Sequence, residues 1–129
     1  MKFNGISIKK YNRIFYWTFR KLYRFLCGVQ SGIYIQNFDH VHIGKHVRIA
    51  SGVSIIACNH KLENPDEYEE WRDVYIGDYC WIGTNSVILP GVKLGPHTVV
   101  GAGSIVTKSF PKGHCVILGN PSKKIKDID

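Results

Sequence analysis

Residues 76–108 read IGDYCWIGTNSVILPGVKLGPHTVVGAGSIVTK, and an aliphatic side chain returns at every sixth position: Ile76, Ile82, Ile88, Leu94, Val100 and Val106. Gly77, Gly83, Gly95 and Gly101 directly follow four of these residues, and Cys80, Ser86, Val92, Thr98 and Ser104 stand four places after five of them. A branched residue that points inward once per short flat strand, followed by a turn that glycine adopts without strain, describes a parallel β-helix built of hexapeptides. Three hexapeptides close one triangular coil, so residues eighteen apart stack in neighbouring coils. The same beat runs earlier through Ile43-Gly44, Ile49-Ala50 and Ile55.

Between these two stretches the beat fails. The segment KLENPDEYEEWRD, residues 61–73, carries acids at positions 63, 66, 67, 69, 70 and 73, holds Pro65 and shows no apolar period, which predicts an excursion loop. His60 stands at its start and lies eighteen residues after His42, so the spacing predicts that the two stack one coil apart. After about Pro111 the period is lost again. Residues 112–129 read as a tail that folds back along the prism, with Pro121 barring regular pairing at its own position.

Upstream, residues 9–27 have helical periodicity. Tyr11, Ile14, Phe15, Thr18, Phe19, Leu22, Phe25 and Leu26 share one side, and Lys10, Arg13, Arg20, Lys21 and Arg24 gather on the other. Gly28 is placed to stop this helix. The chain of 129 residues therefore divides into a basic amphipathic helical segment, 1–28, and a β-helical domain, 29–129, all-β in class. A short solenoid exposes apolar coil ends, which calls for a cap or for oligomerisation. The helix suits either that cap or the surface of an anionic membrane, and the two uses are compatible.

The net charge of +7 is local. Lys2, Lys9, Lys10, Arg13, Arg20, Lys21 and Arg24 lie in residues 1–28 with no acid, and the rest of the chain balances, so no nucleic-acid partner is expected. The four cysteines, Cys27, Cys58, Cys80 and Cys115, form no CxxC pair and no zinc spacing. A reduced, cytoplasmic protein without a metal is expected, with no signal peptide and no span of transmembrane length. Any membrane contact would be peripheral, through residues 9–27.

Three strings, VHIGKHVRIASGVSIIACNH, then the stretch quoted above continued to SFP, then GNPSKKIK, resemble the hexapeptide-repeat acyltransferases with a left-handed β-helix. The likeness is greatest to the sugar O-acetyltransferase branch related to maltose and galactoside acetyltransferases, and it covers residues 41–126. It implies left-handed coils, a homotrimer with each active site between two subunits, acetyl-CoA as donor, and a hydroxyl of a sugar or surface-polysaccharide precursor as acceptor. His60 aligns with the catalytic histidine of that branch. An alcohol is a poor nucleophile until its proton departs, and neutral imidazole is a base suited to neutral pH. Direct transfer in a ternary complex is expected, with backbone N–H groups at the coil turns facing the developing oxyanion.

The same resemblance implies coenzyme contacts at Trp81, Thr84, Ala102, Thr107 and Lys108, and phosphate contacts at Lys123 and Lys126, with Lys124 a further candidate. It places the acceptor near Asn37 and Asp39, although Phe38 stands where aligned members carry an acid. Asn59, Glu69 and Trp71 are acceptor candidates because a loop with acids and an aromatic ring can bond hydroxyls and stack on a sugar face. Several alternatives stay open. His60 could be a solvated turn residue, Lys123 to Lys126 a solvated tail, and Cys58 a nucleophile, although no residue is evident to activate it. The activity could instead be serine or antibiotic O-acetylation or amino-sugar N-acetylation, and the chain could be a non-catalytic trimeric assembly protein. A β-helical carbonic anhydrase has two histidine ligands five residues apart, a spacing that His40, His42, His46, His60, His97 and His114 do not contain.

Overall fold

Each aliphatic residue of the six-residue beat closes a strand of two or three residues in the computed structural model, which describes residues 2–3, 6–7 and 32–129. The helix expected over residues 9–27 lies outside the described residues. In chain order the first strands are β1 (Lys2–Phe3), β2 (Ile6–Ser7), β3 (Tyr34–Ile35), β4 (Val41–Ile43), β5 (Arg48–Ile49) and β6 (Ser54–Ile55). After the excursion come β7 (Val74–Ile76), β8 (Trp81–Ile82), β9 (Val87–Ile88), β10 (Lys93–Leu94), β11 (Thr98–Val100), β12 (Ile105–Val106), β13 (Cys115–Gly119) and β14 (Ser122–Asp127).

Successive strands from β4 to β12 fall on three sheets in rotation, which makes a three-faced prism. Face A holds β4, β7 and β10, with β1 and β2 at its end; face B holds β5, β8, β11, β13 and β14; face C holds β3, β6, β9 and β12. The ladders between coils are parallel. Tyr75 lies beside Lys93, Trp81 beside Val99 and Val87 beside Ile105, so eighteen residues make one coil. Ile55, Val74, Ile82, Ile88, Val106 and Ile117 are fully buried along the axis. Burying such a side chain stabilises the fold by about 1.5–3 kcal/mol.

The glycines that follow the aliphatic residues serve close approach rather than unusual torsion. None of Gly77, Gly83, Gly95 and Gly101 has a positive φ, but a Cβ on Gly83 would stand 2.6 Å from the Ala102 amide nitrogen and 2.7 Å from the Val100 carbonyl oxygen. The left-handed backbone comes two residues later, at His46, Tyr79, Asn85, Gly91, His97 and Gly103. His46, Tyr79 and His97 stack ring on ring at 4.9 Å, and His114, also left-handed, continues the row at 4.8 Å from His97 with its ring tilted by 31°.

The small residues of the beat have a matching reason. Thr98 Oγ1 and Cys80 Sγ both donate to the Gly95 carbonyl, at 2.7 and 3.2 Å, and Ser104 Oγ and Ser86 Oγ both donate to the Gly101 carbonyl, at 2.6 and 3.0 Å. Each buried hydroxyl or thiol thus finds a partner at the corner, which removes the cost of an unsatisfied polar atom. Burial also pushes the thiols of Cys80 and Cys115 up from their ordinary pKa.

The region expected as a tail begins with a further rung. Cys115, Val116 and Ile117 lie beside Thr98, Val99 and Val100, at a spacing of seventeen rather than eighteen residues. The chain then reverses at Asn120-Pro121, a cis peptide, and β14 returns antiparallel on β13 from Ser122. Pro121 occupies the turn, outside the ladder.

Two substitutions test this packing. Ile82→Ala should cost about 2–5 kcal/mol in urea unfolding through the cavity it leaves. Gly83→Ala should destabilise in the same direction by about 1–3 kcal/mol, because the added methyl meets backbone of the next coil. A neutral Gly83→Ala would show that the coils do not press together at that corner.

Candidate active site

The excursion is an ordered antiparallel arm rather than an irregular loop. After β6 the chain leaves the prism at the corner between faces C and A, and Gln36 Oε1 caps the departure by accepting from the Ala57 and Cys58 amides at 3.0 and 2.9 Å. Lys61 N–H donates to Glu67 O and Glu69 N–H to Asn59 O, both at 2.9 Å. These two bonds flank His60 and Tyr68, which face each other as an antiparallel bridge of the non-hydrogen-bonded kind, where opposed side chains come closest. The His60 imidazole accordingly lies 4.4 Å from the Tyr68 ring, tilted by 34°.

The base of the arm is tied in three ways. Cys58, buried, donates its thiol to Glu69 O at 3.0 Å and Asn59 O at 3.3 Å, which makes it a structural crosslink and sets it apart from an activated nucleophile. Arg72 N–H donates to Ala57 O, and Arg72 O accepts from Gly91 N–H, so the returning chain rejoins the corner column. Asp73 then bridges two histidines. His40 Nδ1 donates to Asp73 Oδ1 at 2.7 Å and His42 Nε2 to Asp73 Oδ2 at 2.8 Å. An ionised carboxylate only accepts, so both ring nitrogens carry protons and both tautomers are set. The Tyr75 hydroxyl adds a longer bond to the same Oδ2 at 3.4 Å.

Aromatic stacking extends this anchor outward. His40 lies flat on Trp71 at 4.8 Å and 9°, His42 lies on Tyr75 at 4.4 Å and 17°, and Trp71 is 6.2 Å from Tyr68. The eighteen-residue spacing predicts that His42 stacks on His60, and it does not: His42 stacks on Tyr75. The inserted arm resets the register, and the residue beside His42 in the next coil is Tyr75.

The other residues singled out from the sequence fall into groups. Asn59 and Glu69 belong to the arm beside His60, and Glu69 reaches Arg72 at 3.8 Å. Trp71, 38% exposed, has one face on His40. Asn37 caps the helical turn Phe38–His40 by accepting from the Asp39 amide at 2.9 Å, and Asp39 is exposed. Among the coenzyme candidates, Thr84 and Ala102 stand one coil apart at the corner between faces B and C, where Gly103 N–H donates to Thr84 O at 2.8 Å. The Gly119 turn sits above them, its amide donating to Ser104 Oγ at 3.2 Å, and Lys123 follows that turn.

Trp81 and Lys126 lie on face B in one register row with Val99 and Val116, and Trp81 is 55% exposed. Lys124 is tied to Asp127 at 3.0 Å, whereas Lys123 and Lys126 have no ion pair among the described residues. Thr107 and Lys108 stand at the corner between faces C and A, the one from which the arm departs, and Lys108 lies over the Phe110 ring at 5.9 Å. In one chain, then, Thr84 and Ala102 stand at one of the two corners that bound face C and Thr107 and Lys108 at the other, to which His60 also belongs, while Trp81, Lys123 and Lys126 lie on face B. Among the described residues no three His, Cys, Asp or Glu side chains converge as a metal site.

No motif or period in the sequence marks Tyr68, Asp73, His40 or Gln36. Only the pairing register of arm and coil brings them to His60 or to its anchor.

Comparison with known proteins agrees with this architecture. Residues 73–108 match the family described as bacterial transferase hexapeptide (six repeats). A galactoside O-acetyltransferase of Lactococcus lactis is 36% identical over an alignment of 98 residues that covers 69% of this chain and 45% of that protein, so the chain spans less than half of that relative. A solved galactoside acetyltransferase in complex with coenzyme A is similar with a TM-score of 0.66 at 26% identity, covering 85% of this chain and 70% of that one. The polySia-specific acetyltransferase NeuO is similar at 34% identity and a TM-score of 0.62, over 74% of this chain and 46% of that one.

The anchor makes a pH prediction. The hydrogen bonds from His40 and then His42 hold the Asp73 carboxyl below its ordinary value of 3.8, against a smaller opposing effect of burial. A carboxyl lowered on folding adds stability that is in place above its ordinary value and is lost as pH falls through the lowered one. Asp73→Asn should therefore melt below the wild type at neutral pH, and the gap should close as pH drops below about 4. A gap independent of pH would contradict the assignment.

Proposed function

We propose that this chain, a bearer of bacterial transferase hexapeptide repeats over residues 73–108, is an acetyltransferase that moves an acetyl group from acetyl-CoA to a hydroxyl of a sugar or surface-polysaccharide precursor. The observation that carries the reading is the ordered arm that presents the exposed His60 at the same corner of the prism as Thr107 and Lys108. The similarity to galactoside O-acetyltransferases supports the acceptor class, and the likeness to an acetyltransferase specific for polySia supports a polymeric or polymer-bound sugar.

His60 accepts the proton of the acceptor hydroxyl as that oxygen bonds to the acetyl carbon. It returns the proton to the departing sulfur as the carbon–sulfur bond breaks, so the imidazole is neutral again at the end. The donor supplies an acetyl group activated as a thioester. Backbone N–H groups at the coil corners serve the developing oxyanion, and Asn37, Asp39, Asn59, Glu69 and Trp71 serve the acceptor.

The residues present fit a coenzyme. Lys123 and Lys126 are cations without an acidic partner among the described residues, as phosphate binding requires, while Lys124 is occupied by Asp127. Lysine offers a point charge to a phosphate rather than a paired set of bonds. Thr84, Ala102 and Gly103 make a corner of small side chains, and a Cβ on Gly103 would meet nothing within 4 Å. That the candidates sit on two different corners supports a groove shared between neighbouring prisms of a homotrimer, one corner from each. The basic segment 1–28 would hold such an enzyme at anionic lipid on the cytoplasmic side, near a lipid-linked acceptor.

A thiol-release assay with acetyl-CoA against a panel of soluble sugars tests the reading. His60→Ala should lower kcat at least about a hundredfold while the protein still binds acetyl-CoA, since a positioned base contributes about 10² to 10⁴ in rate. Lys123→Ala combined with Lys126→Ala should raise KM for acetyl-CoA and leave kcat nearly unchanged. Full activity in His60→Ala would remove the proposed base.

A further inference from the structure

Tyr68 is the one described aromatic ring that pairs with the His60 ring, at 4.4 Å, and nothing in the repeat pattern accounts for it. We propose that Tyr68 is a positioning residue, whose ring holds the His60 imidazole in the orientation from which it takes the acceptor's proton. The proposal rests on the reading of His60 as the base.

Imidazole bases are commonly oriented through a hydrogen bond to the ring nitrogen that does not react. No described residue makes such a bond to His60; its partners are the Tyr68 ring and the backbone of the arm. His40 and His42 show the contrast within the same molecule, each fixed through a nitrogen by Asp73. Among the described residues, what can orient His60 is packing. The non-hydrogen-bonded pair supplies it, because opposed side chains in that arrangement are held closer than anywhere else on an antiparallel ladder.

Tyr68 itself is well placed to act as a fixed wall. Its two neighbours are held from both sides, Glu69 through its amide to Asn59 O and its carbonyl from the Cys58 thiol, and Glu67 through its carbonyl from the Lys61 amide. Beyond it, Trp71 rests on His40, so the arm is seated on the coil through a row of rings. The phenol ring also has a chemical part. As His60 takes up the proton it becomes a cation beside the negative face of an aromatic ring, an attractive arrangement that the neutral imidazole does not enjoy. Both effects belong to the ring, and neither needs the hydroxyl.

Steady-state kinetics of the full chain with acetyl-CoA and the best sugar of the panel would test this with three variants: Tyr68→Ala, Tyr68→Phe and His60→Ala. Tyr68→Ala should lose at least about tenfold in kcat with KM for both substrates within about twofold, the pattern of a misplaced base rather than a lost binding surface. Tyr68→Phe should return kcat to within about twofold of the wild type. If Tyr68→Ala keeps its kcat, another group orients His60 and the proposal fails. It fails equally if kcat and KM both deteriorate, which would mark collapse of the arm, or if Tyr68→Phe is as impaired as Tyr68→Ala, which would assign the effect to the hydroxyl. Undiminished activity in His60→Ala would instead sink the reading of His60 as base, a result distinguishable from all of these.

Discussion

Stacking of like on like along the prism axis governs this molecule. Every coil must set its inward isoleucine, valine or leucine on the one before it, its corner glycine under the backbone of the next, and its small polar residue within reach of a corner carbonyl. The first demand recurs every six residues and the other two at several of the corners, and together they leave little freedom in register. The prism can still admit inserted chain if the insertion leaves and returns at the same corner. Val41 lies beside Val74 as Ile76 lies beside Leu94, although fifteen further residues separate the first pair. The arm is therefore added to an unbroken stack, and its shape is fixed by the corner it must close.

Closing that corner creates the local chemistry. Asp73 arrives where the chain re-enters face A, directly above His40 and His42, and its carboxylate ties the returning end to the first coil through two imidazoles. The departing end is held by Gln36 and by the thiol of Cys58. Between these anchors the arm pairs with itself, and the pairing opposes His60 to Tyr68. A rigid frame with a short arm tied at both ends is a physical basis for holding one imidazole at the edge of a groove. Face C separates that edge from Thr84 and Ala102, which is why the proposed enzyme needs a neighbouring prism to complete its site.

The period alone makes the coil legible, because burial of Ile76, Ile82, Ile88, Leu94, Val100 and Val106 repeats with every turn. His60, Trp81, Thr84 and Lys126 were found through a family resemblance, since no periodicity marks them. The arm escaped because both of its faces meet solvent, so its pairing leaves no apolar alternation in KLENPDEYEEWRD. For the same reason the eighteen-residue rule misplaced His42 against His60, where the inserted residues had shifted the register to Tyr75. The last rung, Cys115 to Ile117, was hidden by the loss of one residue from the repeat. The glycines of the beat suggest turn formers, whereas the left-handed torsions lie two residues on, at histidines, a tyrosine and an asparagine as well as glycines. Asp73 was visible only as another acid in an acidic segment, because its meaning depends on two histidines more than thirty residues away.

In the proposed enzyme this stack of coils sets His60 at the thioester end of a coenzyme groove formed by one corner from each of two neighbouring prisms. A crystal structure of the chain with coenzyme A bound tests it most directly. The account predicts the coenzyme sulfur within a few ångströms of the His60 ring, with Thr84 and Ala102 along the arm of the coenzyme and Lys123 and Lys126 at its phosphates. A coenzyme held elsewhere on the prism, with His60 remote from the sulfur in every subunit, would contradict it.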